Sequence, residues 1–466
     1  MKIFDVQKIA QIVRGKLHKG EGPLGVVSGC SVDSRTVQAG DLFIPLRGKN
    51  FDGHDFLLEA VQKGAAACLS EDLCAGLKVP VIGVEDTLTA LGDLAGSTRA
   101  SFNGPVAAVT GSSGKTTTKE MLASILALTG AGLKTEGNFN NLIGLPLTLL
   151  RLENEHKWIV LEMGTNRRGE ITRLTAIADP HVGIITNVGP SHLEGLHGLD
   201  GVARAKGELF ASLKKDSFAV INADDQRVVN IPVANGVERV LFGMSPEALV
   251  RAEDVAVGPE SVSFRLLIPG GTYPVCLPIC GKHNVSNALA AAAAAVCLGV
   301  ADKMIVRGLE NFTRLPGRME ISPIRPDILL VDDSYNANPL SMKAALTALA
   351  EMTGAGRRVA VLGDMLELGD ESRELHREVG AIAAGLCDFI FLLGEQARDM
   401  GEGAQAAGME PERIRVFSEH SEVAEALRGM LQPGDRVLLK GSRGMKMEKV
   451  RNHLEQMERE AADLDA

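Results

Sequence analysis

The sequence contains no long basic run, and its net charge is −10, which argues against nucleic acid as the main partner. That acidity leaves anionic ligands open, because a local loop and a metal ion can set the field around them. Among its seven cysteines (Cys30, Cys68, Cys74, Cys276, Cys280, Cys297 and Cys387) no two form a CxxC pair. Scattered, odd-numbered thiols in mostly apolar surroundings read as reduced, buried residues of a cytosolic protein. The longest apolar run, ALAAAAAAVCLGV at 288–300, is too short and too alanine-rich to span a bilayer, and reads as a buried helix. The first residues, MKIFDVQKIAQIVRG, lack the core of a signal peptide. No internal repeat occurs, and no low-complexity stretch apart from the alanine run. The expectation is a cytoplasmic protein without membrane insertion.

What is present is ordinary globular composition: 45% apolar and 23% charged residues, over a length that suits two to four domains. Residues 1–102 mix short β-like runs such as GDLFIPL with helical stretches such as HDFLLEAVQKGAAACL, and end at the turn TRASFNGP. From 103 to 317, strand-like runs (PVAAVTG, WIVLEMG, HVGIITNVG, SFAVINADD, ERVLFG) recur at intervals filled by helical patterns. The alternating segment around 250–280 reads as an antiparallel extension of the same sheet. After RLPGRME at 314–320 the pattern restarts in DILLVDDS, RRVAVLGDM, CDFIFLLG and DRVLLKGS, giving a third unit over 318–466. Strands alternating with helices imply parallel, doubly wound α/β sheets. The fold expected is therefore α/β in three domains. A smaller N-terminal α/β unit precedes a central P-loop-type domain and a Rossmann-like C-terminal one.

Residues 109–120, VTGSSGKTTTKE, carry the strongest chemical signal. The loop Gly111-Ser112-Ser113-Gly114-Lys115-Thr116 is shorter between its glycines than the common GxxxxGK(S/T), but a strand precedes it and a helix follows. Backbone N–H groups at such a helix start wrap phosphate oxygens, Lys115 adds a point charge, and Thr116 offers a hydroxyl to magnesium. Glu162 ends WIVLEMG at the carboxyl end of a strand, where open α/β sheets place ligands. His192 lies just beyond another strand, in TNVGPSHLEGLHG. Together these two could complete a magnesium site, although magnesium prefers oxygen and each residue alone could be a structural hydrogen-bonding group. Lys206, in GVARAKGELF, reads by itself as a helical lysine facing solvent. Asn284 and Asn287 share one helix face, where the plainer account is helix capping. DDSYNANP at 332–339 follows a strand and ends on a helix-starting Pro339, so it could be only a capped turn.

Taken together, VTGSSGKTTT, EGNFNNLIGLP, LEMG, NVGPSHLEGLHG, ARAKGE, GKHNVSNALAAAA, RLPGRM and DDSYNANP stand in the order found in the Mur ligases, which this chain resembles over nearly its whole length. That family comprises cytoplasmic enzymes that build the peptide stem of bacterial cell wall. DSRTVQAGDLFIPLRGKNFDGHDF, DDSYNANP and LLKGSRGMKME most resemble the branch that joins D-alanyl-D-alanine to UDP-N-acetylmuramoyl-tripeptide. The resemblance implies an ATP- and Mg2+-dependent ligase, acting as a monomer, that activates a carboxylate as an acyl phosphate. It implies that Lys115, with Gly111–Thr116 and Thr117 around it, holds the ATP phosphates, and that Thr116 and Glu162 bind one magnesium. His192 and an N-carboxylated Lys206 match the second metal site, Asn284 and Asn287 the adenine side, Arg318 the γ-phosphate arginine, and Asp333 an aspartate reaching the nucleotide from the third domain. Asn138 and Asn141 match positions facing the muramoyl and phosphate part of the UDP-sugar. Ser34 and Arg35, with the Asp52-Gly53-His54 turn, match the uridine side, and Asn336 and Asn338 the dipeptide pocket. The related folylpolyglutamate synthases share the loop and the carboxylate activation but lack a domain ahead of the loop. A non-catalytic nucleotide switch would not need two metal sites together with Arg318 and Asp333.

Overall fold

The computed structural model describes residues 4–18, 25–48, 50–72, 76–258, 260–352, 354 and 356–464. Cys74 lies outside them.

Beside a two-stranded antiparallel pair of Phe4–Asp5 with Val26–Val27, three larger sheets follow one another along the chain. The first has strands Gly29–Ser31, Asp41–Phe43, Ala67–Ser70 and Val81–Gly83 in parallel, with Lys16–His18 added antiparallel at the edge. The second runs parallel through Leu133–Lys134, Ile159–Glu162, Val106–Thr110, Val182–Ile185, Phe218–Asn222, Glu238–Gly243 and Val250–Val257. Val262–Ile268 and Gly271–Leu277 then extend it antiparallel, as the alternating sequence around 250–280 anticipates. In the third, the strands Ile328–Asp332, Arg436–Lys440, Arg358–Gly363, Phe389–Leu393 and Ile414–Phe417 are parallel, and Glu320–Arg325 pairs antiparallel at one edge.

The central strands are short and apolar because helices cover both faces. All five residues of Val106–Thr110 are buried. From that strand the chain winds first toward Leu133–Lys134, returns at Ile159–Glu162, then crosses to Val182–Ile185 on the other side. A crevice opens at the carboxyl ends where the winding reverses. The alanine-rich helix His283–Cys297 closes one face, with Ala288 through Ala295 all buried. Side chains this small let the helix lie close to its neighbours, the phosphate-loop helix Lys115–Ala127 among them.

Helix Thr87–Ala100 ties the first sheet to the second. Ala90, Leu91, Leu94 and Ala95 are buried in the same core as the central strands. At its end, Arg99 donates from Nε to the carbonyl of Ala178 at 2.8 Å and from Nη2 to that of Asp179 at 2.7 Å. These bonds cap the carboxyl end of helix Glu170–Ala178, whose last carbonyls need partners. The third sheet has its own core, with Val359, Val361, Phe391, Val437 and Leu439 fully or almost fully buried.

Among the described residues, no helix is long and apolar enough to cross a membrane. The cysteines are not uniformly buried as expected: Cys68, Cys280 and Cys387 are, Cys30 and Cys297 are half-buried, and Cys276 is exposed. Cys276 lies on the antiparallel strand Gly271–Leu277, whose alternate residues point outward.

Candidate active site

The phosphate-binding loop starts where the buried strand Val106–Thr110 meets the crevice. Two of its glycines are obligatory. Gly111 has φ +152°, and a Cβ there would stand 1.8 Å from the Thr186 hydroxyl. Gly114 begins helix Lys115–Ala127 at φ +79°, and a Cβ would meet the Asn287 amide oxygen at 2.2 Å. Residues 186–191 hold the loop from behind. Ser113 N–H donates to Asn187 Oδ1 at 2.9 Å, Thr186 Oγ1 donates to the Ser113 carbonyl at 2.6 Å, and Ser112 Oγ donates to the Gly189 carbonyl at 2.7 Å. These bonds tie the loop to the strand end behind it without help from any ligand.

Beneath it lie two lysines. Lys115 is half-buried and donates from Nζ to the Gly111 carbonyl at 2.8 Å. Burial lowers its pKa and Arg318 lowers it further, while the Glu162 carboxylate opposes both. Lys206 overturns the solvent-facing reading outright: it is 2% exposed. On helix Leu199–Ser212 it shares a face with Val202, Leu209 and Phe210, all buried, at spacings of three and four. Burial, and secondarily the charge of Lys115, push its pKa well below the usual lysine value, which favours the neutral amine.

Next to the lysines, Thr116 Oγ1 donates to Glu162 Oε2 at 2.7 Å, and Asn140 Nδ2 donates to the other oxygen at 2.8 Å. Two oxygens on one octahedral magnesium, bound at about 2.1 Å, stand roughly 3 Å apart. The hydroxyl and carboxylate are therefore already spaced for one hard cation. Among the described residues, no cluster of three or more His, Cys, Asp or Glu side chains could hold a metal alone. This fits magnesium, which keeps waters and phosphate oxygens beside one or two protein ligands. At Lys206 the fit is chemical: burial disfavours the cation, and the neutral amine is the form that can take up carbon dioxide.

The third sheet closes the crevice. Arg318 Nη2 reaches Thr116 Oγ1 at 2.8 Å, and its guanidinium lies 4.1 Å from the centre of the Tyr335 ring. Asn338 Nδ2 donates to the Ser112 carbonyl at 3.0 Å. Its Oδ1 caps helix Pro339–Glu351 in a capping box with Ser341, so DDSYNANP is indeed a capped turn, and one that touches the phosphate loop. Asp333 receives Lys440 Nζ at 2.5 Å on one oxygen and the Met319 N–H at 3.1 Å on the other. Asn336 Oδ1 accepts from the backbone of Ala337 and Arg443. His192, at φ +52°, places Nδ1 2.5 Å from Glu367 Oε2, and that contact holds the Glu367 carboxyl below the usual carboxylate range. Asn284 and Asn287 do not cap their helix, since Lys282 begins it. Asn287 Nδ2 donates to Asn284 Oδ1 at 2.9 Å, and Asn284 Nδ2 to the Cys280 carbonyl at 2.8 Å.

One cavity of about 510 Å³ gathers residues 112–117, Asn138, Asn141, Glu162, His192, Asn284, Asn287, Arg318, Asp333, Asn336 and Asn338. Gly111 and Lys206 lie behind its wall rather than on it. Asn141 Oδ1 accepts from the N–H groups of Ile143 and Gly144, whereas Asn138 is exposed. Ser34 and Arg35 are not on this cavity. Ser34 is buried against Glu59, and Arg35 pairs with Asp33 with its side chain 82% exposed. In the nearby turn, Asp52 caps the 3-10 turn Gly53–Phe56 and meets His54 Nδ1 at 2.6 Å. Sequence reasoning passed over Asn140, Asn187, Lys440 and Glu367. The first three lie inside stretches singled out for other residues, and only their contacts distinguish them.

Comparison with known proteins agrees along the whole chain. Residues 26–99 match the Mur ligase family, catalytic domain; 109–295 match the Mur ligase middle domain; and 317–443 match the Mur ligase, glutamate ligase domain. The chain is 37% identical over 453 residues to the UDP-N-acetylmuramoyl-tripeptide--D-alanyl-D-alanine ligase of Bacillus subtilis, covering 96% of this chain and 97% of that one. Its fold is similar to the crystal structure of MurF from Acinetobacter baumannii, with a TM-score of 0.91 and 35% identity over 98% of this chain and 99% of the other. The MurF ligase from Thermotoga maritima, solved in complex with ADP, gives a TM-score of 0.83 at 30% identity, covering 93% and 98%. With the phosphate loop, the three sheets and the match over their full length agreeing, the chain belongs to the Mur ligase family.

Proposed function

We infer that this protein is an ATP-dependent amide ligase of peptidoglycan precursor synthesis, joining D-alanyl-D-alanine to the terminal carboxylate of UDP-N-acetylmuramoyl-tripeptide. The observation that carries the reading is the similarity over 96% of the chain to a ligase of that activity. The cavity supports it, because its walls come from two sheets, as joining three substrates requires.

At neutral pH a carboxylate is a poor electrophile. A tripeptide carboxylate oxygen attacks the γ-phosphorus of ATP, the bond to the bridging oxygen breaks, and ADP leaves. The dipeptide amine then attacks the carbonyl carbon of the acyl phosphate; phosphate departs with the bonding pair, and the amine loses its proton. Positioning and neutralisation of charge supply most of the catalysis. Lys115 and Arg318 pair with the phosphates, the latter aligned by Tyr335. Thr116 and Glu162 would hold one magnesium, and His192 with Lys206 a second. Magnesium, when bound, screens the negative charge that ATP and a carboxylate bring together. Lys206 serves as a carbamate: its neutral amine adds carbon dioxide and releases a proton, turning a repelling cation into an anionic oxygen ligand.

Division into 1–102, 103–317 and 318–466 assigns the UDP-sugar, ATP and dipeptide to successive domains. On this reading Ser34, Arg35, Asn138 and Asn141 serve the UDP-sugar, Asn284, Asn287 and Asp333 the nucleoside, and Asn336 and Asn338 the dipeptide. By the family resemblance the protein acts as a cytoplasmic monomer.

Phosphate release, followed with each substrate omitted in turn, tests the reading. Turnover should require both the UDP-tripeptide and D-alanyl-D-alanine, with the amide product seen by mass. With the amine omitted, hydroxylamine should trap an acyl phosphate. Turnover without the tripeptide would overturn the assignment, and a strict need for amine before phosphoryl transfer would overturn the order of steps.

A further inference from the structure

His192 is placed on the central domain, but its Nδ1 faces a carboxylate from the third. Glu367 Oε2 lies 2.5 Å from it. The approach is built into both backbones. His192 and Glu367 are both held in the left-handed region, at φ +52° and +64°, which non-glycine residues seldom adopt. The N–H of Glu194 donates to the Glu367 carbonyl at 3.3 Å, beside Gly369, where an added Cβ would stand 3.3 Å from the Glu194 Cα. Behind Glu367, the loop is pinned in turn. Met365 N–H donates to Nε2 of the fully buried His376 at 2.9 Å, and Leu366 N–H to Ser442 Oγ at 2.9 Å.

Nδ1 is buried and not aligned for a hydrogen bond, but the carboxylate oxygen 2.5 Å from it can only accept, so it favours the proton of a neutral ring on Nδ1. It leaves Nε2 as the nitrogen with a free lone pair. This is how a carboxylate prepares a histidine for a metal, setting its tautomer and its orientation. We propose that Glu367 is a positioning residue for His192, so that docking of the third domain itself completes the second metal site. The inference rests on the reading of His192 as a magnesium ligand. It explains why the loop 365–367 is held so firmly although it supplies nothing else to the central domain's site. An open arrangement would leave His192 free to take either tautomer and the site half-made.

The test uses full-length protein with ring-15N-labelled histidine, His192 being identified by its loss in His192→Gln. The unaltered protein at pH 8 should show His192 protonated on Nδ1 and bare on Nε2. Glu367→Ala should lose that preference, whereas Glu367→Gln, whose amide oxygen can still accept, should keep most of it. In steady-state ligation, Glu367→Ala should raise the half-saturating magnesium concentration by about tenfold or more, with Glu367→Gln closer to the unaltered enzyme. An Nε2-protonated His192 in the unaltered protein overturns the proposal, and so does unchanged magnesium dependence in Glu367→Ala. If His192→Gln itself leaves magnesium dependence unchanged, the reading of His192 as a ligand fails instead. Circular dichroism of each variant shows that it is folded, and the glutamine variant keeps the test decisive if the alanine variant is not.

Discussion

The two walls of the cleft are built on opposite plans. The central-domain wall is made early in each strand–loop–helix unit: glycines at positive φ, a loop fixed by residues 186–191, and two lysines whose pKa values are lowered by burial. The third-domain wall presents groups that are already engaged: Asp333 with Lys440, Asn338 as a helix cap, Glu367 with His192. On the first wall burial works against the charge of both lysines, and an anionic ligand or a modification relieves that conflict. The second wall's polar groups are already paired, some within the third domain and some across the cleft to Ser112 and His192, and it works by where it docks. Substitutions on the first wall should therefore remove chemistry, and those on the second should weaken the docked geometry.

The largest effect belongs to Lys115. Lys115→Ala should lower ligation by roughly three orders of magnitude or more, since it removes a charge directed at the transferring phosphoryl group. The folded state loses one hydrogen bond to Gly111, worth about 1 kcal/mol. Steady-state assay beside a melting curve checks both, and normal turnover in a folded variant would refute the wall's role.

Next comes Lys206. Lys206→Arg should be almost inactive, because guanidinium keeps its charge and cannot form a carbamate in this way. Lys206→Ala should be equally poor but recover partly with bicarbonate or a short carboxylate in the assay. An arginine variant of full activity would remove the carbamate.

On the opposite wall the expected change is smaller and divisible. Asn338→Ala removes a helix cap, at about 0.5–2 kcal/mol, together with the contact to Ser112. Asn338→Ser keeps a capping hydroxyl but is too short to reach Ser112 as well. The serine variant should melt like the unaltered protein yet ligate roughly tenfold more slowly, as loss of one positioning contact would cause. Equal activity and equal stability in both variants would show that docking does not depend on this contact.

The smallest effect is on stability and depends on pH. The folded pKa of Lys206 is depressed, so between that value and the ordinary lysine pKa of about 10.4 the unfolded chain binds more protons than the folded one. Stability must then rise with pH across that window, and the burial penalty vanishes above it. Lys206→Met should stabilise the metal-free protein by about 1–3 kcal/mol at pH 7 in carbon dioxide-free buffer, and the gain should shrink toward pH 10. Denaturant titrations at both pH values measure it, and a gain independent of pH would mean that the lysine is not strained by burial.

The sequence by itself determined the strands, the helices between them and the phosphate loop, because each is encoded in a few adjacent residues. A buried parallel strand needs a continuous apolar run, as in Val106–Thr110, and a loop at φ values closed to other residues needs glycine, as at Gly111 and Gly114. The placement of Lys206 was also written locally, in its spacing from Val202, Leu209 and Phe210, but a charged residue on an apolar stripe reads as an exception until packing shows it enclosed. Only the tertiary structure decided which polar groups meet. Arg318 and Thr116 are separated by 202 positions in the chain, and Asn338 and Ser112 by 226. Such pairs are set by how two sheets dock, and the short-range periodicities that encode each sheet carry no record of that distance. How far Ser34 and Arg35 stand from this cavity was equally beyond the sequence, since a resemblance between segments carries residue identities but not the separation between domains.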